Sequence, residues 1–479
     1  MTRFRALAYR HAWLIFALLL GLAIRVAFLL KGATLYHGAG HEHLNGDSFS
    51  YTESFRNLVE HGHYTSDPSI PDAAFGRLPG YPFFYGLHYL LFGAKGALTA
   101  LAVSQTLLDT AVILLLYRLL LRWTGLLLPA VFIALLYATY PFAIIWVSVA
   151  GTEQLNTFCT VLWLGAVTSP RQTRLHYAQV GLLAALAFFV REFMGVLLPI
   201  SLLVVFAQAQ LPWRFRWKSA AWVAVGFGVL YLGWPARNYF SHHRLMLVKP
   251  ASAGYANQRE DMQAYLDWLH CWTNDNTTWL EQMLAKEPFQ YPAAIFENPT
   301  EERRAYALTA LAARCGSSFH LRRLDTQESR LAQPPLFYNC NPAIAAGFDS
   351  LRTSFVRRHP LRYLTAVPLS NLQKAVFKSS TIHQPKARAA ALLQRVLFGY
   401  RSVLVLLGVL GLALARRQPW ALPIGCYFLF IYLYTSVVFR SLEMRYLLQA
   451  DVLLLLPAAW LLARLVEASR QKYPTSTRR

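Results

Sequence analysis

Asn45-Gly46-Asp47-Ser48-Phe49-Ser50-Tyr51, and after it Arg77-Leu78-Pro79-Gly80-Tyr81-Pro82, follow an apolar run over residues 12–30. An ionised group near the bilayer centre costs roughly 2.5 to 3.5 kcal/mol even on lenient insertion scales. A carboxylate, an arginine and several aromatics placed straight after such a run must therefore face water, protein or a charged ligand. The stretch reads as a candidate site at the mouth of a membrane protein.

Composition gives the same class. Of the 479 residues, 55% are hydrophobic and only 15% charged, with a mean hydropathy of +0.31. A soluble chain of this length needs far more polar surface to cover its core. The net charge of +22 invites a nucleic-acid partner, but its distribution excludes one. The basic residues stand in short clusters between apolar runs: Arg3, Arg5 and Arg10; Arg118 and Arg122; Arg171 and Arg174; Arg214, Arg216 and Lys218; Arg416 and Arg417; and the tail from Arg464 to Arg479. This is the positive-inside pattern of cytoplasmic loops.

With those clusters inside, spans fall near 12–30, 97–122, 125–146, 150–168, 176–191, 193–211, 218–236, 392–415, 420–438 and 446–464. Each comes close to the roughly 20 apolar residues a crossing helix needs, which gives about ten helices and both termini in the cytoplasm. The expected fold is an all-α polytopic membrane protein with a polar external first loop, 32–82, and a long external excursion, 237–390. Residues 1–236 then form a transmembrane catalytic module, 237–390 an external and partly interfacial region, and 391–479 the C-terminal transmembrane helices with a cytoplasmic tail. The short apolar run Phe83 to Gly93 cannot cross and reads as an interfacial helix. Within the excursion, Glu301–Ala313 and Asp349–Arg358 have helical composition, and Leu361–Phe377 is amphipathic enough to lie on the membrane. The amino-terminal run contains Arg25 and lacks a small-residue cleavage site, so it reads as a retained helix rather than a signal peptide.

Cys271, Cys315 and Cys340 fall in the external excursion, which permits one disulfide with one thiol left over. The sequence does not select the pair.

Under this topology Glu153, Arg191, Arg237 with Asn238, and Arg445 with Tyr446 all stand at the outer ends of their helices, where the first loop opens. Arginine presents a planar fork of donors that matches phosphate oxygens and stays charged at any relevant pH. Several arginines at the rim of an apolar groove suit a ligand with an anionic phosphate and a hydrocarbon tail. A carboxylate beside them suits proton abstraction from a hydroxyl, and Tyr51 and Tyr81 suit stacking on sugar faces.

Each residue also has a plainer reading. Asp47 is a preferred N-cap residue for a helix beginning near Ser48. Arg77 beside a span is an ordinary headgroup anchor, although the Pro79-Gly80-Tyr81-Pro82 turn that follows fixes its aim. Tyr81 fits an interfacial aromatic belt, and Glu153 a first-turn acid favoured by the helix dipole or a partner for Arg77, Arg191 or an acceptor. Arg237 and Arg445 read as phosphate ligands, with interface anchoring as the alternative. His37, His41, His43, His61 and His63 crowd the first loop, but their spacing matches no zinc pattern, so solvated histidines and no metal are expected.

The ordered set Asp47-Ser-Phe-Ser-Tyr51, Glu60-His-Gly62, Arg77-Leu-Pro79-Gly80-Tyr81-Pro82, Thr152-Glu153, Arg191, Trp234-Pro235-Ala-Arg237-Asn238-Tyr239 and Arg445-Tyr446 resembles the GT-C superfamily of membrane glycosyltransferases. The likeness is to the branch of the protein mannosyltransferases and the aminoarabinose and galacturonic acid transferases of bacterial lipopolysaccharide. It spans residues 12 to about 240 and, more loosely, 360 to 464. The resemblance implies sugar transfer from a polyprenyl-phosphate donor to a lipid, glycan or protein acceptor at the outer face of the cytoplasmic, or inner, membrane. It also implies that Asp47 is the general base and that a phosphate monoester leaves without a general acid. Inversion at the anomeric carbon and the absence of a cofactor or catalytic metal follow. Arg77, Tyr81, Arg191, Arg237, Asn238, Arg445 and Tyr446 are the expected donor-phosphate or sugar ligands, with Tyr51 and Glu153 as acceptor or pairing residues. A transporter or flippase of a lipid-linked glycan would also need buried arginines, but it would more often show repeats or interrupted helices in paired positions. Neither is found.

Overall fold

The computed structural model describes residues 2–44, 47–68, 71–248, 259–274, 276–285, 290–323, 340–377, 388–440 and 442–472; Asn45 and Gly46 of the opening stretch and the end of the tail lie outside them. The protein is an all-α polytopic membrane protein. Among the described residues six helices are long and apolar enough to cross a membrane: Ala12–His37, Gly80–Thr124, Trp213–His242, Ala391–Leu414, Ala421–Phe439 and Met444–Ser469. The remaining expected spans are helices too, but shorter.

The first helix, α1 (Thr2–Ala27), continues through a wide turn at Phe28–Gly32 and a further turn, Ala33–His37, before stopping at Gly38. The first loop thus begins six residues later than the expected 32, because Lys31 and Gly32 look like a helix end but are wound into the rod. The loop carries α2 (Ser48–His61). The next helix, α3 (Gly80–Thr124), is broken at Gly93, whose φ of 67° and ψ of 176° suit glycine. That break ends the short apolar run Phe83–Gly93 and separates it from the long crossing limb.

The chain then forms α4 (Leu127–Ala138), α5 (Glu153–Val167), α6 (Arg174–Val190), α7 (Leu197–Ala207), α8 (Trp213–Tyr231) and α9 (Gly233–His242). With twelve residues, α4 rises only about 18 Å, short of a roughly 30 Å hydrocarbon core. Beyond its end, residues 145–152 run as irregular buried backbone, which a membrane protein tolerates only when its polar groups are paired internally. The end of the first helix, the first loop and α3 pair them. Ala150 N donates to His43 O, Ser48 Oγ to Ala150 O, and Gln105 Nε2 to Val147 O and Val149 O. His37 and His43 rings bond the carbonyls of Ile145 and Ser148. Two of the crowded loop histidines thus have structural partners.

Arginine–aspartate pairs lie fully buried inside the bundle. Arg25 on α1 meets Asp109 on α3 at 2.6 Å, both fully buried, with Tyr137 donating to the same carboxylate. Arg401 meets Asp451 at 2.7 Å, with Tyr432 at 2.6 Å. Buried charges persist in such surroundings only when paired and hydrogen-bonded.

Described residues of the excursion 237–390 form a second core. The helices α10 (Glu260–Trp272), α11 (Pro299–Cys315) and α12 (Asn341–Arg358) pack Tyr265, Trp268, Trp272, Tyr291 and Phe348 together, apart from the membrane core. Asn298 caps α11 through the amides of Thr300 and Glu301, with Pro299 at its first position. Cys315 and Cys340 form the disulfide, with Cα atoms 5.9 Å apart, and Cys271 is the buried thiol left over. Residues 362–377 are helical, ending in α13 (Val367–Phe377). The last three helices are α14 (Arg388–Leu414), α15 (Ala421–Leu433) and α16 (Met444–Lys472).

Candidate active site

Asp47 occupies the N-cap position of α2, but its side chain makes no capping bond. Its backbone carbonyl accepts instead from the amide and hydroxyl of Ser50. The carboxylate is turned to the arginines: Oδ1 lies 3.4 Å from Arg77 Nη2, and Oδ2 accepts from Arg445 Nη1. Burial pushes its carboxyl up, but Arg445, Arg77 and Arg191 outweigh it and hold it well below the usual carboxylate range. Asp47 is therefore an ionised acceptor, 27% exposed.

Arg77 is fixed from three directions. Its Nε donates to Ser50 Oγ at 2.8 Å, its guanidinium carbon lies 4.2 Å from the centre of the Tyr51 ring, and its carbonyl accepts from Tyr64 Oη at 2.9 Å. The following turn also packs against α6. A Cβ on Gly80 would stand 2.6 Å from the carbonyl carbon of Phe189, so only glycine lets α3 start so close to the end of α6.

The opposite wall comes from the start of α16 and the end of α6. Arg445 pairs with Glu443 at 2.5 Å and donates to Tyr446 Oη at 3.2 Å. Tyr446 lies between two guanidiniums, with Arg445 5.1 Å and Arg191 4.9 Å from its ring centre. Arg191 in turn binds Glu153 at 3.3 Å, both buried. A continuous polar path thus runs Glu153, Arg191, Tyr446, Arg445, Asp47, Arg77, Tyr51, joining four distant parts of the chain. Gln449 supports it by donating to Glu153 O and Thr157 Oγ1.

Three of the expected residues stand elsewhere. Tyr81 is fully buried behind Tyr51, with ring centres 5.1 Å apart, and its hydroxyl donates to Gln105 at 2.8 Å. Arg237 donates to Ala74 O at 2.9 Å and Tyr64 O at 3.0 Å, and Asn238 takes a third bond from it while donating to Met246 O. These two clamp the first loop to α9, and through Tyr64 they support Arg77. Sequence reasoning missed Glu443, Ser50 and Gln449. Glu443, two residues before Arg445, was the most accessible of them, because an acid beside an arginine at a helix start invites pairing. Among the described residues no group of three or more His, Cys, Asp or Glu is placed to hold a metal ion.

No family model matches the sequence. No curated protein matches it. Solved structures do match. The archaeal oligosaccharyltransferase AglB from Archaeoglobus fulgidus, in complex with an inhibitory peptide and a dolichol-phosphate, aligns with 98% of this chain and 52% of its own at 13% identity and a TM-score of 0.52. ArnT from Cupriavidus metallidurans bound to undecaprenyl phosphate aligns with 96% of this chain and 79% of its own, at 16% identity and a TM-score of 0.40. This chain spans about half the length of the oligosaccharyltransferase. At that identity the likeness is one of fold: the chain shares its fold with the archaeal oligosaccharyltransferase AglB.

Proposed function

We propose that the protein is an inverting glycosyltransferase. It moves a sugar from a polyprenyl-phosphate donor to a lipid, glycan or protein acceptor at the external face of the cytoplasmic membrane. The observation that carries this reading is the Asp47 carboxylate held between Arg77 and Arg445, with Arg191 and Tyr446 beside it. Three arginines around one ionised carboxylate suit a phosphate and a base at one locus. The fold likeness supports the donor class, since the archaeal oligosaccharyltransferase was solved with dolichol-phosphate.

In the free protein Asp47 is a weak base, because two guanidiniums hold its charge. The donor phosphate competes for those same guanidiniums. As Arg445 and Arg77 turn to it, Asp47 loses its counter-charges and its basicity rises towards that of an ordinary carboxylate. The carboxylate then takes the proton of the acceptor hydroxyl while the acceptor oxygen bonds to the anomeric carbon. The bond from that carbon to the phosphate oxygen breaks in line, and polyprenyl phosphate leaves as an anion stabilised by the arginines. Glu153 fixes Arg191 and Glu443 fixes Arg445, while Arg237 and Asn238 hold the loop that carries Arg77. The external body, residues 260–358, is proposed to recognise the acceptor.

The test is reconstitution of the chain in liposomes with a polyprenyl-phosphate sugar and candidate acceptors. Release of polyprenyl phosphate with a glycosylated acceptor supports the reading. Movement of the intact donor between leaflets without transfer overturns it in favour of a flippase.

A further inference from the structure

The end of the bundle away from Asp47 carries a second polar arrangement. Helices α3 and α5 start at the site, near Tyr81 and at Glu153, while α6 starts at the other end and returns to Arg191. With fifteen residues, α5 carries the chain about 22 Å from Glu153. Between the far ends of α3 and α5 and the start of α6 lies a cavity of about 630 Å³. Arg122, Arg171, His176 and Gln179 supply its polar lining and Leu182 and Leu183 an apolar wall; no Asp or Glu lines it.

The charge there is fixed and uncompensated. Arg122 Nη2 donates to Gly165 O at 3.0 Å and Thr168 Oγ1 at 2.9 Å, which caps the end of α5 and holds the guanidinium at the rim. Arg118 lies one turn earlier on α3, and Arg174 follows Arg171 at the start of α6. None of these four arginines forms an ion pair with an acid among the described residues. An anion relieves their mutual repulsion.

The surroundings point to the bilayer as the source of that anion. Trp213 and Trp217 are exposed at the start of α8, which packs along α6. Tryptophans gather at the headgroup level of membranes. Leu175 and Leu186 face outward on α6. The polar rim therefore stands at headgroup depth, with apolar walls running into the acyl layer.

We propose that this cavity is a binding site for the headgroup phosphate of an anionic phospholipid, gripped by Arg122 and Arg171, with an acyl chain against Leu182 and Leu183. The site is independent of the transfer reaction and distinct from the Asp47 cluster.

Native mass spectrometry of the full chain, delipidated and then given phosphatidylglycerol or phosphatidylcholine, tests this. The wild type is expected to retain phosphatidylglycerol at least tenfold better than phosphatidylcholine, and Arg171→Gln to lose most of that preference. Because Arg122 also caps α5, Arg122→Gln can perturb the fold; the Arg171 side chain makes no hydrogen bond or ion pair among the described residues, so Arg171→Gln carries the test by itself. Equal retention of phosphatidylglycerol by wild type and Arg171→Gln overturns the proposal. Displacement of the lipid by millimolar glycerol 3-phosphate would show a soluble-anion site and overturn the lipid assignment.

Discussion

The carboxylate of Asp47 accepts a hydrogen bond from the guanidinium of Arg445, 398 positions further along the chain. With Arg77 on its other oxygen, the carboxylate bridges the first loop and the start of the last helix. In the proposed reaction, donor phosphate and the Asp47 base draw on the same cations.

This pairing sets a pH dependence. The folded carboxyl lies below its ordinary value of about 3.9. Its stabilising contribution is present in full above that value, fades as pH falls below it, and is lost once pH passes the depressed folded value. Transfer by the wild type is therefore expected to show no acid limb from Asp47 between pH 5 and 7. In Arg445→Gln the chief cation is gone and burial remains, so the carboxyl rises and an acid limb moves up towards that range. A pH–rate profile of both proteins checks this, and coincident profiles contradict it.

Arg237 offers a separate test of loop bracing. Its bonds to the carbonyls of Ala74 and Tyr64 tie α9 to the loop bearing Arg77, beside the Tyr64–Trp234 and Phe75–His242 ring contacts. Arg237→Gln is expected to speed proteolysis within residues 62–76 and to lower kcat/KM by about tenfold or more, roughly 1.4 kcal/mol in the transition state. Unchanged proteolysis with lost donor binding would make Arg237 a direct ligand instead.

Inside the membrane, Arg25 and Asp109 depend on one another. Arg25→Leu leaves a fully buried carboxylate without its cation and is expected to cost about 3 to 5 kcal/mol. The double variant Arg25→Leu/Asp109→Leu should recover most of that in thermal unfolding in detergent, since both charges leave together. A double variant no more stable than the single one would contradict the account.

The Cys315–Cys340 disulfide closes a separation of 25 residues. By chain entropy it contributes about 3.5 kcal/mol to the body built from residues 260–358. Reduction should lower the unfolding temperature of that body while leaving the membrane core unchanged, which differential scanning calorimetry with and without reductant resolves.

Much of this was legible in the sequence, and the exceptions have physical causes. Asp47, Arg77, Arg191, Arg445 and Glu153 stood out because charge is costly in an apolar chain, and the structure brings them together. Tyr81 carried the same polar signal, but its partner Gln105 lies 24 residues on inside an apolar run, where nothing in the spacing marks it. Arg237 has the residue type of a phosphate ligand; that it binds carbonyls of the first loop is a long-range contact 163 and 173 positions back. Within 260–358 the helices at 301–313 and 349–358 were read from composition, but the shared aromatic core was not, because it is assembled between helices separated in sequence. The first helix runs beyond the expected 30 because its backbone stays helical through a wide turn to His37 after the apolar run ends.

The most direct test of the central claim is a transfer assay on Asp47→Asn with donor binding measured in parallel. The amide keeps the shape of the side chain and removes its basicity, so transfer is expected to fall by about 100- to 10,000-fold while the polyprenyl-phosphate sugar still binds. Transfer at the wild-type rate by Asp47→Asn would show that this carboxylate is not the base.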